Sequence, residues 1–456
     1  MKTDVVIFGA GISGLATAFF LRKKGLQAHV LEKNSRVGGA LETRNVKGFL
    51  VEYGANSTLD TSPLFHELFT ELGIEADLIY GSDSAKNRYI VKNGKLCALP
   101  ANPIAFLKTK LFSTKAKLRL LKEPFIRPAK KEETLAEFVK RRLGEEFLKY
   151  AIDPFVAGVY AGLAEQLSVQ SAFPKLYNLE QKYGSLIKGA ILGYRQRRKS
   201  KETSKQSAKL FSFKEGMETL PGALAKALSG HISTDVHTTA ISRKDSGFHI
   251  TYQQGEKAQE VTCQTLVLTI PAYAYETLPL ELPSSVRQAI VSIPYPPVSM
   301  VFFGYSSNPA SFSLDGFGFL IPRIENRKIL GTIWSSTLFA GRAKQGEIAL
   351  TTFVGGTRQP ENARLNDEEL IEIVRKDLYD LMGIHKEPDV TVIQRWPKAI
   401  PQYTLEHKKV IQTIEDFERK EPGIYISGNF RGGISVGDCI KQANNISEQV
   451  AKAISR

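Results

Sequence analysis

Apolar and polar positions change rhythm along the chain, and each rhythm predicts an element. Val5-Val6-Ile7-Phe8 is an uninterrupted apolar run, the pattern of a parallel strand buried on both faces. Gly9-Ala10-Gly11-Ile12-Ser13-Gly14 follows, and Leu15, Ala18, Phe19 and Arg22 continue a helical pattern as far as Gly25. His29-Val30-Leu31-Glu32 predicts a second strand ending in an acid. Further on, residues 232–241 and 248–253 alternate like antiparallel strands around a turn at Asp245-Ser246-Gly247. Residues 261–270 predict one buried strand ending at Pro271. Residues 423–428 read as strand and turn, and Ile440, Ala443, Ile446, Val450 and Ile454 mark the buried face of a last helix. Residues 96–210 read as mostly helical.

The first three elements form a βαβ unit with G-x-G-x-x-G at its first turn. Gly9 permits the tight turn, Gly11 lets a pyrophosphate approach the backbone, and Gly14 allows close helix–sheet packing. The helix N-terminus offers free N–H groups and a partial positive charge to phosphates. Glu32 can accept bonds from ribose hydroxyls; an acid here disfavours NADP and leaves NAD and FAD open.

The residues after Glu32 narrow the choice. Arg36-Val37-Gly38-Gly39-Ala40 and then Gly48-Phe49-Leu50-Val51-Glu52-Tyr53-Gly54-Ala55-Asn56 resemble the extended fingerprint of the amine oxidase-like flavoproteins. That resemblance implies noncovalent FAD. It assigns cofactor contacts to Gly9, Gly11, Ile12, Ser13, Gly14, Glu32, Lys33, Arg36, Gly38, Gly39, Ala40, Gly54, Ala55, Asn56 and Ser57, to Val236 beside the adenine, and to Trp396 near the flavin. Near the C-terminus it adds Gly428, Ile434, Ser435 and Val436, at a second helix start expected to point at the flavin ring. Cys439 lies inside that start and is expected to form no covalent flavin link.

Asp153-Pro154-Phe155-Val156-Ala157-Gly158-Val159-Tyr160-Ala161-Gly162, Asn87-Arg88-Tyr89, Ile400-Pro401-Gln402-Tyr403 and Gly428-Asn429-Phe430 are similar to signatures of the protoporphyrinogen/coproporphyrinogen oxidase family. The implied fold is α/β (α+β): a discontinuous Rossmann-like FAD domain, p-hydroxybenzoate hydroxylase-like, with an antiparallel-sheet substrate domain and a helical insert. The expected boundaries are 1–60, 211–272 and 422–456 for FAD, 61–95 and 273–421 for substrate, and 96–210 for the insert. The implied reaction is six-electron, oxygen-using oxidation of protoporphyrinogen IX to protoporphyrin IX in haem synthesis, with three hydrogen peroxides formed. Coproporphyrinogen III is the alternative substrate. An amine oxidase, a carotenoid desaturase or an inactive flavin-binding partner stand further off. Arg88 is the candidate clamp for a propionate, since guanidinium binds carboxylate bidentately; a solvated strand arginine is its structural alternative. Gly158 would let a macrocycle approach the backbone, with a simple bend as the alternative. No catalytic side chain is assigned, because the flavin would be the redox centre.

Composition adds limits. The chain has 456 residues, 42% apolar and 24% charged, which suits a globular protein of roughly three domains and excludes a disordered chain. Net charge is +14, but it is not uniform. Residues 105–149 net +7 and residues 182–214 net +9, leaving −2 for everything else. Within the insert, Leu107, Leu111, Phe112, Leu118, Leu121 and Phe125 interleave with lysines, and Arg195, Arg197, Arg198 and Lys199 form a polybasic tract. This composition suits an interfacial segment on an anionic leaflet, with a solvated charged helix as the alternative. Nucleic acid is disfavoured, since no recognition motif accompanies the charge. The longest uncharged stretch, 288–314, holds four prolines and predicts no membrane-spanning helix. Asp4 and the glycine spacing argue against a signal peptide. The expected location is cytoplasmic, peripheral on the inner face of the cell membrane or on an organelle membrane. A ferrochelatase-type pathway partner and a monomer or homodimer complete the expectation. Cys97, Cys263 and Cys439 are too far apart in sequence for a zinc ribbon or iron–sulfur motif, and no histidine spacing suggests a metal.

Overall fold

The computed structural model describes residues 1–197, 208–244 and 247–455. Its centre is a five-stranded parallel sheet in the order Ile232–Ser233, Ala28–Leu31, Val5–Phe8, Thr265–Leu268, Ile424–Ile426. Both faces are buried, which is why its strands read as apolar runs. Val5, Ile7, Val30 and Val267 face one core, closed by the helices Ile12–Lys23 and Val436–Ile454. Val6, Phe8, Leu31, Leu266 and Leu268 face a second core. Strands from the two ends and the middle of the chain thus form one sheet, as the α/β class predicts.

Two predicted strands divide. The 261–270 run is interrupted at Gln264: Lys257–Cys263 belongs to an antiparallel three-stranded sheet, and Thr265–Leu268 to the parallel one. Likewise 232–241 breaks into Ile232–Ser233 and Val236–Lys244, with Asp235 in the left-handed region at φ 54°. In both places the chain crosses between sheets, and an apolar run cannot report which sheet it serves. Two residues of the expected turn, 245 and 246, lie outside the described residues.

A seven-stranded sheet makes the other layer, in the order Val390–Trp396, Val298–Tyr305, Ile348–Gly355, Ile329–Trp334, Gly316–Leu320, Asn87–Lys92, Lys95–Ala98. It is antiparallel except where Asn87–Lys92 runs parallel to Gly316–Leu320. The helical insert lies against it, from Pro103–Lys108 to Leu186–Arg197.

The expected boundaries shift with the packing. Helix Pro63–Leu72, assigned by position to the substrate domain, buries Phe65, Leu68 and Phe69 in the first core of the parallel sheet. Strand Leu78–Tyr80 pairs with Leu210–Phe213. Helices Ser284–Val291 and His407–Lys420 bury Val286, Ile290, Val410, Ile414 and Phe417 in the second core. Only residues near 87–98 and about 298–396 build the seven-stranded sheet.

The insert is held by buried charge. Arg142 pairs with Glu123 at 3.1 Å and with Glu180, and all three side chains are buried. Glu123 also accepts from Ser185 Oγ, Leu186 N and Ile187 N, so it caps the start of helix Leu186–Arg197. Arg198 and Lys199, and the side chains of Arg195 and Arg197, lie outside the described residues.

Candidate active site

Gly9 stands at φ 98° and Gly11 caps helix Ile12–Lys23 with no side chain over the helix end and no acid in its first turn. That N-terminus therefore presents an open positive end. A Cβ on Gly14 would fall 1.9 Å from the Gly9 carbonyl, so glycine is dictated by packing. Gly11 differs: the nearest atom to its absent side chain is Gly39 Cα, 4.0 Å away. Gly38 N donates to Ala10 O at 2.7 Å, which closes the Gly38-Gly39 turn over the first glycine loop. Gly54 in turn sits against Ala40, whose carbonyl would be 1.6 Å from a Cβ. Gly11 and Gly39 thus face each other as bare backbone beside the open helix end, and a phosphate chain fits such a surface.

Arg36 is engaged within the turn. Its guanidinium donates to Val37 O, Leu41 O and Gly39 O and pairs with Glu42 at 3.0 Å, so it ties the turn together. Glu32 is buried and lies at the glycine turn: Oε2 accepts from Ala10 N at 2.6 Å, and Oε1 from Asn34 N and Nδ2. Val236 N donates to the Glu32 carbonyl at 2.9 Å, which brings the central segment to the same edge. Lys33, Ala40 and Ala55 are exposed, and Asn56 accepts from Ser57 Oγ at 2.8 Å.

Thr58 links this region to the second helix start, its Oγ1 accepting from Gly437 N. Ser435 caps helix Val436–Ile454, accepting from Asp438 N and donating to the Asp438 carboxylate at 2.7 Å. This helix end thus has two engaged N–H groups and a carboxylate in its first turn, and its positive end is more satisfied than that of Ile12–Lys23. Cys439 is buried beside Ser13, and burial pushes its thiol up to about 11, so it stays protonated. Gly428, at φ 133°, opens the loop that leads to Ile434.

Ile434 reaches across to the insert. It packs on the cluster of Val156 and Tyr160 from helix Asp153–Tyr160, together with Leu320 and Ile400. Trp396, at the end of the edge strand, packs with Ala157, Ala161, Leu330 and Ile400. Gly158 lies on the same helix, where a Cβ would meet Leu320 Cδ2 at 2.5 Å, so its smallness serves the approach of helix to strand. Arg88 is exposed, has no acidic partner among the described residues, and lies 5.6 Å from the Phe317 ring. Strand alternation turns it to the same sheet face as Ile90, a member of the cluster that includes Leu320.

Sequence reasoning did not single out Glu52 as a hub. It accepts from Met217 N and Thr43 Oγ1 and faces Arg342, and burial pushes its carboxyl up to about 7. Gln402 and Tyr403 were visible as a motif but without a role. The glycine turn with its open helix N-terminus and the buried acid beside it form the arrangement of a flavoprotein-type oxidoreductase. The chain belongs to the flavin-containing amine oxidoreductase family, whose profile matches residues 12–451. It is 34% identical to protoporphyrinogen oxidase 2, chloroplastic/mitochondrial, of Arabidopsis thaliana, covering 96% of this chain and 91% of that one. It is 29% identical to coproporphyrinogen III oxidase of Bacillus subtilis, covering 97% and 96%. In structure it resembles a candidate protoporphyrinogen oxidase of Exiguobacterium sp., with a TM-score of 0.82, 24% identity and 99% of both chains covered. Cyclohexylamine oxidase of Brevibacterium oxydans shares the fold at a TM-score of 0.72 and 17% identity, with 100% of both chains covered.

Proposed function

We propose that this protein is an FAD-dependent oxidase that converts protoporphyrinogen IX to protoporphyrin IX, with coproporphyrinogen III as the competing substrate. The observation that carries the reading is that Ile434 packs against the hydrophobic cluster to which Val156 and Tyr160 of helix Asp153–Tyr160 belong. The loop expected at the flavin and the helix expected at the substrate therefore share one core. The relatives named for protoporphyrinogen, at 30–34% identity, favour that substrate over coproporphyrinogen, whose named relatives stand at 27–29%.

Bound noncovalently, FAD would supply a two-electron acceptor that oxygen can regenerate. The chain supplies the geometry. Gly11, Gly38 and Gly39 would receive the pyrophosphate, and the open end of helix Ile12–Lys23 would favour its charge. Glu32 would exchange its Ala10 and Asn34 partners for a ribose hydroxyl. The protonated, buried Cys439 offers no thiolate for a covalent link. Ala157, Leu320, Leu330, Ile400 and Trp396 belong to packed apolar clusters and would give the substrate an apolar wall. Arg88 binds a propionate at its rim.

The insert would rest on an anionic leaflet. Ile104, Leu107, Leu118, Leu121, Phe125 and Ile191 are all exposed, Phe125 at 84%, among exposed Lys108, Lys110, Lys115 and Lys122. Among the described residues no helix is long and apolar enough to cross a membrane. An apolar patch rimmed by cations is the surface expected of one-leaflet binding.

The deciding experiment offers the yellow protein each porphyrinogen, prepared anaerobically, and then admits oxygen. Porphyrin fluorescence from protoporphyrinogen at the higher kcat/KM supports the proposal. Preference for coproporphyrinogen reverses the substrate order, and no fluorescence from either removes the porphyrinogen reading.

A further inference from the structure

Gln402 and Tyr403 have no part in the function described above, yet they stand between the two halves of the site. We propose that Tyr403 is a positioning residue that shapes the 428–434 loop and ties it to the substrate helix. The proposal rests on the flavoprotein reading, in which this loop borders the cofactor.

The loop has little shape of its own. Gly428, Gly432 and Gly433 have φ of 133°, 84° and 132°, conformations that glycine adopts at little steric cost but does not by itself enforce. Its form must come from tethers. Arg431 holds one side, donating to Ile426 O at 2.6 Å and to Glu418 at 2.7 Å. Tyr403 holds the other. Its hydroxyl donates to Asn429 O at 2.7 Å and accepts from Gly433 N at 3.1 Å, so a single oxygen closes the loop across four residues.

The phenol itself is fixed. It is 2% exposed, and the His407 ring lies flat on it at 4.0 Å with 10° between planes. Tyr160 meets it edge-on from the substrate helix at 6.2 Å. His407 is a neutral backstop, because burial pushes its imidazole down to about 4. The adjoining residues carry the connection onward. Gln402 Nε2 donates to the Tyr160 carbonyl at 2.8 Å, and the Tyr403 carbonyl accepts from Ser168 N at 2.8 Å. Gly162 makes room, since a Cβ there would lie 2.2 Å from Gln402 Oε1. One dipeptide thereby grips the end of the substrate helix with its amide and the loop with its hydroxyl. The separation between Ile434 and that helix follows from both grips.

Tyr403→Phe in the full-length protein tests this, because it removes only the oxygen. The part-buried Asn429 carbonyl and Gly433 N–H then lose their partner, and a lost hydrogen bond of this kind is read as roughly a tenfold effect. The expected result is faster hydrogen exchange at the amides of 429–434, an FAD dissociation constant about tenfold higher, and lower kcat with KM within about twofold. His407→Leu keeps the hydroxyl but removes the flat backstop, and should shift exchange and FAD affinity the same way by less. Wild-type exchange and FAD affinity in Tyr403→Phe would overturn the proposal. If that variant does not fold, unchanged exchange and FAD affinity in His407→Leu would do so. A parent protein that oxidises no porphyrinogen, with Tyr403→Phe still loosening the loop and FAD, would remove the substrate reading and leave the positioning role standing.

Discussion

The Glu52 carboxylate and the Arg342 guanidinium meet 3.4 Å apart with both side chains buried. Their attraction does not offset desolvation: burial pushes Glu52 up to about 7 and pushes Arg342 down. Thr43, Met217 and Ser212 complete the cluster, which joins the N-terminal hairpin to the central segment and to the loop after helix Ser335–Leu338.

A stability signature follows from Glu52. Its folded carboxyl binds a proton more readily than the unfolded one, whose ordinary value is 4.5. The stability it contributes is complete below about pH 4.5 and is lost as pH rises to about 7 and beyond. The loss is on the order of 3 kcal/mol. Glu52→Gln should match the parent near pH 5 and exceed it near pH 8 in urea unfolding. Parallel pH profiles for the two proteins would show that Glu52 does not titrate in this window.

Gly11 and Gly14 should separate. Gly14→Ala places a Cβ against the Gly9 carbonyl and should cost the apoprotein about 2 kcal/mol or more. Gly11→Ala meets nothing nearer than 4.0 Å and should change apoprotein stability by less than about 1 kcal/mol while sharply lowering FAD retention. Thermal unfolding of apoprotein, paired with the flavin-to-protein absorbance ratio, reads both. Equal FAD retention in Gly11→Ala and parent would take the pyrophosphate away from this loop.

Arg88→Ala should raise the apparent KM for porphyrinogen about tenfold, the weight of one charge-assisted bond. Stability should stay within about 0.5 kcal/mol, since Arg88 has no acidic partner among the described residues. An unchanged KM would return Arg88 to the solvated surface.

Glu123→Ala should loosen the insert. It strips one partner from buried Arg142 and uncaps helix Leu186–Arg197, at a cost of about 3 kcal/mol or more. Limited proteolysis should cut the insert earlier in the variant than in the parent. Identical cleavage rates would mean that helix is held by other contacts.

Liposome flotation tests the insert surface. Replacing Leu107, Leu121 and Phe125 with serine should weaken binding to anionic vesicles, since each is at least 70% exposed and loses apolar contact with lipid. Undiminished binding would exclude this face as the anchor.

The glycine turn itself was legible in the chain. Gly9, Gly11, Gly14 and Glu32 lie within one strand–turn–helix–strand unit, and local spacing sets that geometry. Arg36 was legible as a motif member but not as a staple, because its acceptors at Val37, Gly39 and Leu41 depend on how that turn folds back. The core that each element joins was not legible for a related reason. Helix Pro63–Leu72 has the same apolar stripe whichever core receives it, and pattern cannot name the receiver.

The sequence by itself therefore determined the glycine-rich turn, the parallel-sheet class, the basic insert and the family. Each of these is written in local spacing or in composition. The tertiary structure decided what closes the site: Gly38 against the first loop, Gly54 against Ala40, Glu52 among three distant segments, and Tyr403 between the loop at Gly433 and the helix at Tyr160. Those contacts join residues tens to hundreds of positions apart, and a side chain's role in them depends on what burial brings to it.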